Sequence, residues 1–147
     1  MAWIYIVVAV VVGTFLSLQA GVNGQLAPWV GHPIRAAFFS FAIGAIGLLL
    51  ASLPLDRPWP GPSTLVQAPW WVWTGGLFGA CYVVATVVAG PRLGAAVFFS
   101  LVVVGQMLAA LLLDHFGLLG FARHPINLWR VLGVALLAAG VALIRNF

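Results

Sequence analysis

The chain has 147 residues, 64% of them hydrophobic and only 5% charged. No soluble domain of this size could bury so much apolar surface, because a small folded protein leaves much of itself facing solvent, so the solvent here is lipid. The net charge of +4 comes from six arginines and two aspartates scattered singly, which gives nucleic-acid binding little support.

A helix needs ~20 residues to cross ~30 Å of hydrocarbon. Five segments meet that length: Trp3–Leu26, Ala36–Leu53, Trp70–Val88, Gly94–Leu113 and Leu128–Ile144. They are continuous apolar runs rather than alternating ones, which excludes a β-barrel. The sequence thus predicts an all-α integral membrane protein, one transmembrane domain over residues 1–147 with no room for a soluble module. The first segment lacks a basic leader and a small-residue cleavage site, and reads as a retained span.

The first span has two faces. Ala9, Gly13, Ser17 and Gly21 recur every four residues, a stripe that lets helix backbones approach closely when lipid offers no hydrophobic drive. Gln19 and Asn23 share another face, with Gln19 about 200° around the helix from Ser17. Amides in hydrocarbon need partners. They either bond across a helix–helix contact or line a polar cavity.

Trp29-Val30-Gly31-His32-Pro33 ends this span and lets the second begin near Ile34. Pro54 to Ala68, with Pro54, Pro58, Pro60 and Pro62, predicts an extended surface loop. Pro69 suits the first position of the third helix. Gly75 and Gly79 form a small pair there, and Tyr82 and Thr86 share a face that could add hydroxyls to a cavity. A packed Tyr and a Thr bonded to its own helix account for them equally well. Gly90-Pro91-Arg92 reads as a tight link to an antiparallel fourth span. That span carries Gln106 beside Gly105, a second small residue at Ala109, and Asp114-His115 at its end. Phe116 to Pro125 forms the last loop. Tryptophans 3, 29, 70, 71, 73 and 129 fall at span ends, as interfacial anchors do.

No Asp, Glu, Lys or Arg lies deep in any span, where a proton-coupled cation exporter would place a carboxylate. Asp114 has three readings: an interfacial ion pair with Arg123 or Arg130, a gate, or a metal site with His115 and His124. Separate loop residues without ligand spacing favour the ion pair. Cys81 has no partner, and no nucleophile elbow or other catalytic constellation occurs. The sequence calls for no enzyme chemistry, cofactor or metal.

The arginines carry the topology. With five crossings, Arg57, Arg123 and Arg130 fall on the side of the N-terminus, and Arg35, Arg92 and Arg145 on the other. Orientation normally follows an excess of Lys and Arg in cytoplasmic loops. A three-to-three balance predicts that both orientations are made, and an antiparallel homodimer of inverted protomers would supply the inverted repeat many transporters contain.

Leu18-Gln19, Gly75-Gly76-Leu77-Phe78-Gly79, Pro91-Arg92-Leu93-Gly94-Ala95-Ala96, Gly105-Gln106 and Leu113-Asp114-His115-Phe116-Gly117 occur in this order. This resembles the YdcZ-like five-helix family of bacterial inner-membrane proteins in the drug/metabolite transporter superfamily, over most of the chain. The resemblance implies small-molecule transport in the inner membrane, with single-copy members acting as antiparallel homodimers. The chain lacks the first-helix carboxylate of the small multidrug exporters in that superfamily, which argues against proton-coupled export of cationic drugs.

The combined expectation is a transporter of a small polar or delocalised-cation solute, with Gln19, Asn23, Gln106, Tyr82 and Thr86 lining a cavity at the dimer interface. Gly13, Ser17, Gly21, Gly75, Gly79 and Gly105 would serve helix packing, and Asp114, Arg123 and Arg130 a gate or ion pair. A passive dual-topology pore and a non-transporting membrane scaffold are the alternatives.

Overall fold

The computed structural model describes residues 2–55 and 59–147. Its α-helices are α1 (Ala2–Val30), α2 (Pro33–Ser52), α3 (Pro62–Gln67), α4 (Gly75–Leu93), α5 (Ala95–Phe116) and α6 (Leu128–Asn146). All but α3 are long and apolar enough to cross a membrane, the third crossing running from Trp70 to Leu93. The chain divides into two compact units, Met1–Pro91 and Arg92–Phe147.

In the first unit, α1 and α2 pack as a helical hairpin. α1 continues to Val30, past the Leu26 predicted from hydropathy, and carries Pro28 in its last turns. The proline removes one i→i−4 bond, yet α1 continues past it. His32 caps α2, its Nδ1 accepting from the Ile34 N–H at 3.2 Å. Arg35 reaches back to donate to the Val30 carbonyl at 3.2 Å, satisfying an end-of-helix acceptor that hydrocarbon would leave bare. The His32 cap lets α2 begin at Pro33 rather than Ala36, and the helix runs to Ser52.

The long connection departs from the predicted extended loop. Gly61 and Pro62 start the short, wholly exposed α3, Pro62 being preset for a first helical turn. Asp56, Arg57 and Pro58 of that loop lie outside the described residues. Pro69 flanks a 3₁₀ turn over Trp70–Thr74 instead of opening the third α-helix, which begins at Gly75. Such 3₁₀ turns are frequent at the N-termini of α-helices.

The predicted link at Gly90-Pro91-Arg92 is helical. α4 runs through Pro91 to Leu93, and the chain breaks at Gly94. Gly94 has φ 81 and ψ 148, a region almost closed to residues with a Cβ.

In the second unit, α5 and α6 pack together. α5 ends at Gly117, which is left-handed (φ 64, ψ 40) and donates to the Leu113 carbonyl, the usual helix-ending role of glycine. A 3₁₀ turn over Leu118–Gly120 follows. Asn127 caps α6, its Oδ1 accepting from the Arg130 N–H at 2.9 Å, and the helix runs to Asn146.

Few side chains are buried. Among the described apolar residues only Ala36, Ala37, Val83, Val87, Phe98 and Val141 are, while Trp3, Trp29, Trp70 and Trp129 lie open. That is the inverse of a soluble core, and fits apolar helices whose outer solvent is lipid.

Candidate functional site

The intramembrane amides of the first unit lie on α1. By helix rise, Gln19 is ~4.5 Å and Asn23 ~10 Å from the midpoint of α1. Gln19 is exposed, and its Nε2 donates to Ser40 Oγ of α2 at 3.5 Å, the outer limit of a useful bond. Asn23 is 3% exposed, yet its Nδ2 has no partner among the described residues. A buried donor left unbonded costs roughly 1–3 kcal/mol, so this amide is an anomaly for packing alone.

Ser40 escapes a reading by composition, since one serine in an apolar helix has no pattern. The signal lay in the hairpin. A turn at Gly31-His32 brings the middle of α2 alongside the stretch of α1 that holds the amides.

The hydroxyl pair on α4 divides. Thr86 is buried and donates to the Val83 carbonyl of its own helix at 2.7 Å. Tyr82 keeps a buried hydroxyl without a partner among the described residues. Gly79 approaches α2, where an added Cβ would meet Phe41 Cζ at 3.3 Å. Gly13, Gly21, Gly75 and Gly105 have no such neighbour within 4 Å, and Ser17 is exposed.

The charged cluster belongs to the second unit. Arg130 Nη2 lies 3.1 Å from Asp114 Oδ2. Arg123 is not on Asp114: its Nε donates to the His115 carbonyl at 3.2 Å. Around the pair, the His124 N–H donates to the Asp114 carbonyl at 2.7 Å, Arg130 Nη1 donates to the His124 carbonyl at 3.0 Å, and His115 Nδ1 accepts from the Ile126 N–H at 3.1 Å. Asp114 is at the C-terminal end of α5 and Arg130 at the N-terminal end of α6, each the unfavourable end for its charge. The pair offsets both penalties and ties the two helices together.

Beneath it an open groove of about 320 Å³ runs between α5 and α6, with Met107, Leu111, Val134 and Leu137 among its walls and Asp114 and Arg130 at one end. Among the described residues, no three His, Cys, Asp or Glu side chains come together to hold a metal ion. His115 Nδ1 accepts from the Ile126 N–H at 3.1 Å, and His124 Nδ1 lies 3.0 Å from the Ala122 carbonyl.

Placed together, these features are neutral polar groups within apolar helices and charges confined to their ends. The family model described as "Putative inner membrane exporter, YdcZ" matches residues 4–143. Neither a curated protein nor a solved structure matches the chain. With five membrane-spanning helices and a match over nearly its whole length, the chain belongs to the YdcZ family and is a multi-pass transporter of the inner membrane.

Proposed function

We propose that this protein exports a small polar or delocalised-cation solute as an antiparallel homodimer. In this reading Gln19, Asn23 and Gln106, assisted by Tyr82 and Thr86, present neutral hydrogen-bonding groups along the path. Neutral amides suit zwitterions, uncharged polar solutes and delocalised cations better than bare metal ions, which need charged or multiple oxygen ligands. The absence of Asp, Glu, Lys and Arg deep in the sequence's spans favours solute recognition by hydrogen bonding over exchange against a carboxylate-bound proton.

The observation that carries the reading is the buried, unbonded Nδ2 of Asn23. A donor held out of water without a protein acceptor is matched to an acceptor that arrives with a solute. Asn23→Ala separates this from a packing role by sign. Removing an unbonded donor leaves stability unchanged or raises it by up to ~1–3 kcal/mol, whereas removing a structural bond lowers it. The expected outcome is a folded protein whose solute flux in liposomes drops at least tenfold, measured beside its thermal unfolding. Normal flux with reduced stability would assign Asn23 to packing and sink the proposal.

A further inference from the structure

Gln106 stands at the middle of α5, which runs from Ala95 to Phe116. It is exposed, and its amide bonds to none of the described residues. It is ~15 Å by helix rise from either end of α5, too deep for its side chain to reach headgroups or water. In hydrocarbon such a group must find a partner on another protein surface.

Its surroundings say which way that surface lies. Met107, Ala110, Leu111 and Asp114 line the groove shared with α6. At 100° per residue, Gln106 projects about 90° away from that face, and Gly105 and Ala109 about 150–170° away. An added Cβ at Gly105 would meet nothing within 4 Å, and Ala109 is exposed. A second helix can therefore approach closely on the side where the amide is left open.

We infer that Gln106 pairs with Gln106 of a second, inverted copy across a two-fold axis at the membrane midplane. The inference rests on the antiparallel reading above and adds where the copies meet and what each contributes. Two properties select this partner. A primary amide carries donors and an acceptor on one side chain, so it is complementary to its own image in an isologous contact. In an antiparallel pair the axis lies in the membrane plane, and only a residue at the helix midpoint can face itself. Gln106 holds that position on α5. Three arginines on each side give neither orientation the excess that would fix it, which is the condition for copies of both orientations. Each amide donates one N–H and accepts one, leaving a second N–H and a second lone pair per copy for the solute path. The polar lining at this level is incomplete without the partner.

Phe99 and Leu113 lie seven residues on either side of Gln106, within ~20° of its direction per step. Inversion about Gln106 brings Phe99 of one copy against Leu113 of the other, while a parallel pair brings like against like. The test uses the full chain with Cys81→Ala, in native membranes, with differently tagged copies carrying Phe99→Cys or Leu113→Cys and Gln106 intact. Oxidation is expected to join F99C to L113C, and Q106C to itself in a separate chain. Gln106→Leu is expected to reduce the F99C–L113C product several-fold. Like-with-like products at positions 99 or 113 overturn the inference and the antiparallel reading together. Absence of both expected products, with flux intact in liposomes, overturns this contact and leaves the transport reading standing. The expected products with no flux for any solute tested support the contact and count against transport.

Discussion

At the scale of single residues, the ion pair between Asp114 and Arg130 is the clearest place where magnitude decides role. Its N–O distance is 3.1 Å, and the side chains are 28% and 32% exposed. Pairs that accessible are worth ~0.2–1 kcal/mol when both partners remain. The carboxylate gains nothing from the dipole of its own helix, since it stands at the C-terminal end of α5. A double-mutant cycle with Asp114→Asn and Arg130→Gln is therefore expected to give a coupling of at most about 1 kcal/mol in thermal unfolding. Arg130→Gln also removes the donation to the His124 carbonyl, so that single variant should be the more destabilising of the two. A gate predicts something else: nearly unchanged stability in both variants with flux altered in opposite directions. Measuring unfolding and flux on the same preparations separates the two roles.

At the scale of helices, two glycine substitutions test different surfaces. Gly94, with φ 81 and ψ 148, joins α4 to α5, and Gly94→Ala forces a Cβ into a nearly glycine-only backbone region at a cost on the order of 1–3 kcal/mol. Lower thermal stability is expected, with no dependence on protein concentration, because the strain is inside one chain. Gly13 and Gly21 differ, since their added Cβ atoms would meet nothing within 4 Å. One protomer can therefore carry Gly13→Leu and Gly21→Leu without a clash. If the α1 stripe mates with another copy, the double variant stays helical but shifts towards monomer in detergent. An unchanged dimer would show that the stripe faces lipid.

The existence and order of these helices were legible from hydropathy, because each apolar run is long and bounded by Gly, Pro or Trp. Their ends were not. Hydropathy stops where lipid stops, whereas a helix begins and ends where its first N–H groups and last carbonyls find acceptable partners. Arg35 on the Val30 carbonyl, His32 on the Ile34 N–H and Asn127 on the Arg130 N–H are such partners. Pro91 misled for the same reason, since a proline in a last turn removes a bond without ending the helix. The polar residues Gln19, Asn23 and Gln106 were legible as exceptions to composition. Ser40 was not, because only the hairpin brings it to Gln19. The spacing of the sequence also left Arg123 and Arg130 as equal partners for Asp114, a choice made by the loop that bonds Arg123 to the backbone.

At the scale of the whole molecule, the proposed dimer depends on a population rather than on a contact. An antiparallel pair takes one copy of each orientation, so the number of pairs cannot exceed the number of copies in the minority orientation. Three arginines against three predict a ratio near balance. Asp56 and Asp114 both fall on the N-terminal side, but acidic residues contribute little to orientation. Three lysines added after Met1 should hold the N-terminus in the cytoplasm, and three added after Phe147 should hold the C-terminus there. Each variant alone is expected to lose antiparallel dimer and flux in proportion to its missing orientation, as read by cysteine labelling from outside the cell in a Cys81→Ala background. Co-expression of the two should restore both, since neither change touches a transmembrane helix. Full flux from a chain labelled in only one orientation would reject the antiparallel dimer as the transporting unit. Failure of the co-expressed pair to recover, with both chains present and oppositely oriented, would place the loss in the added lysines themselves.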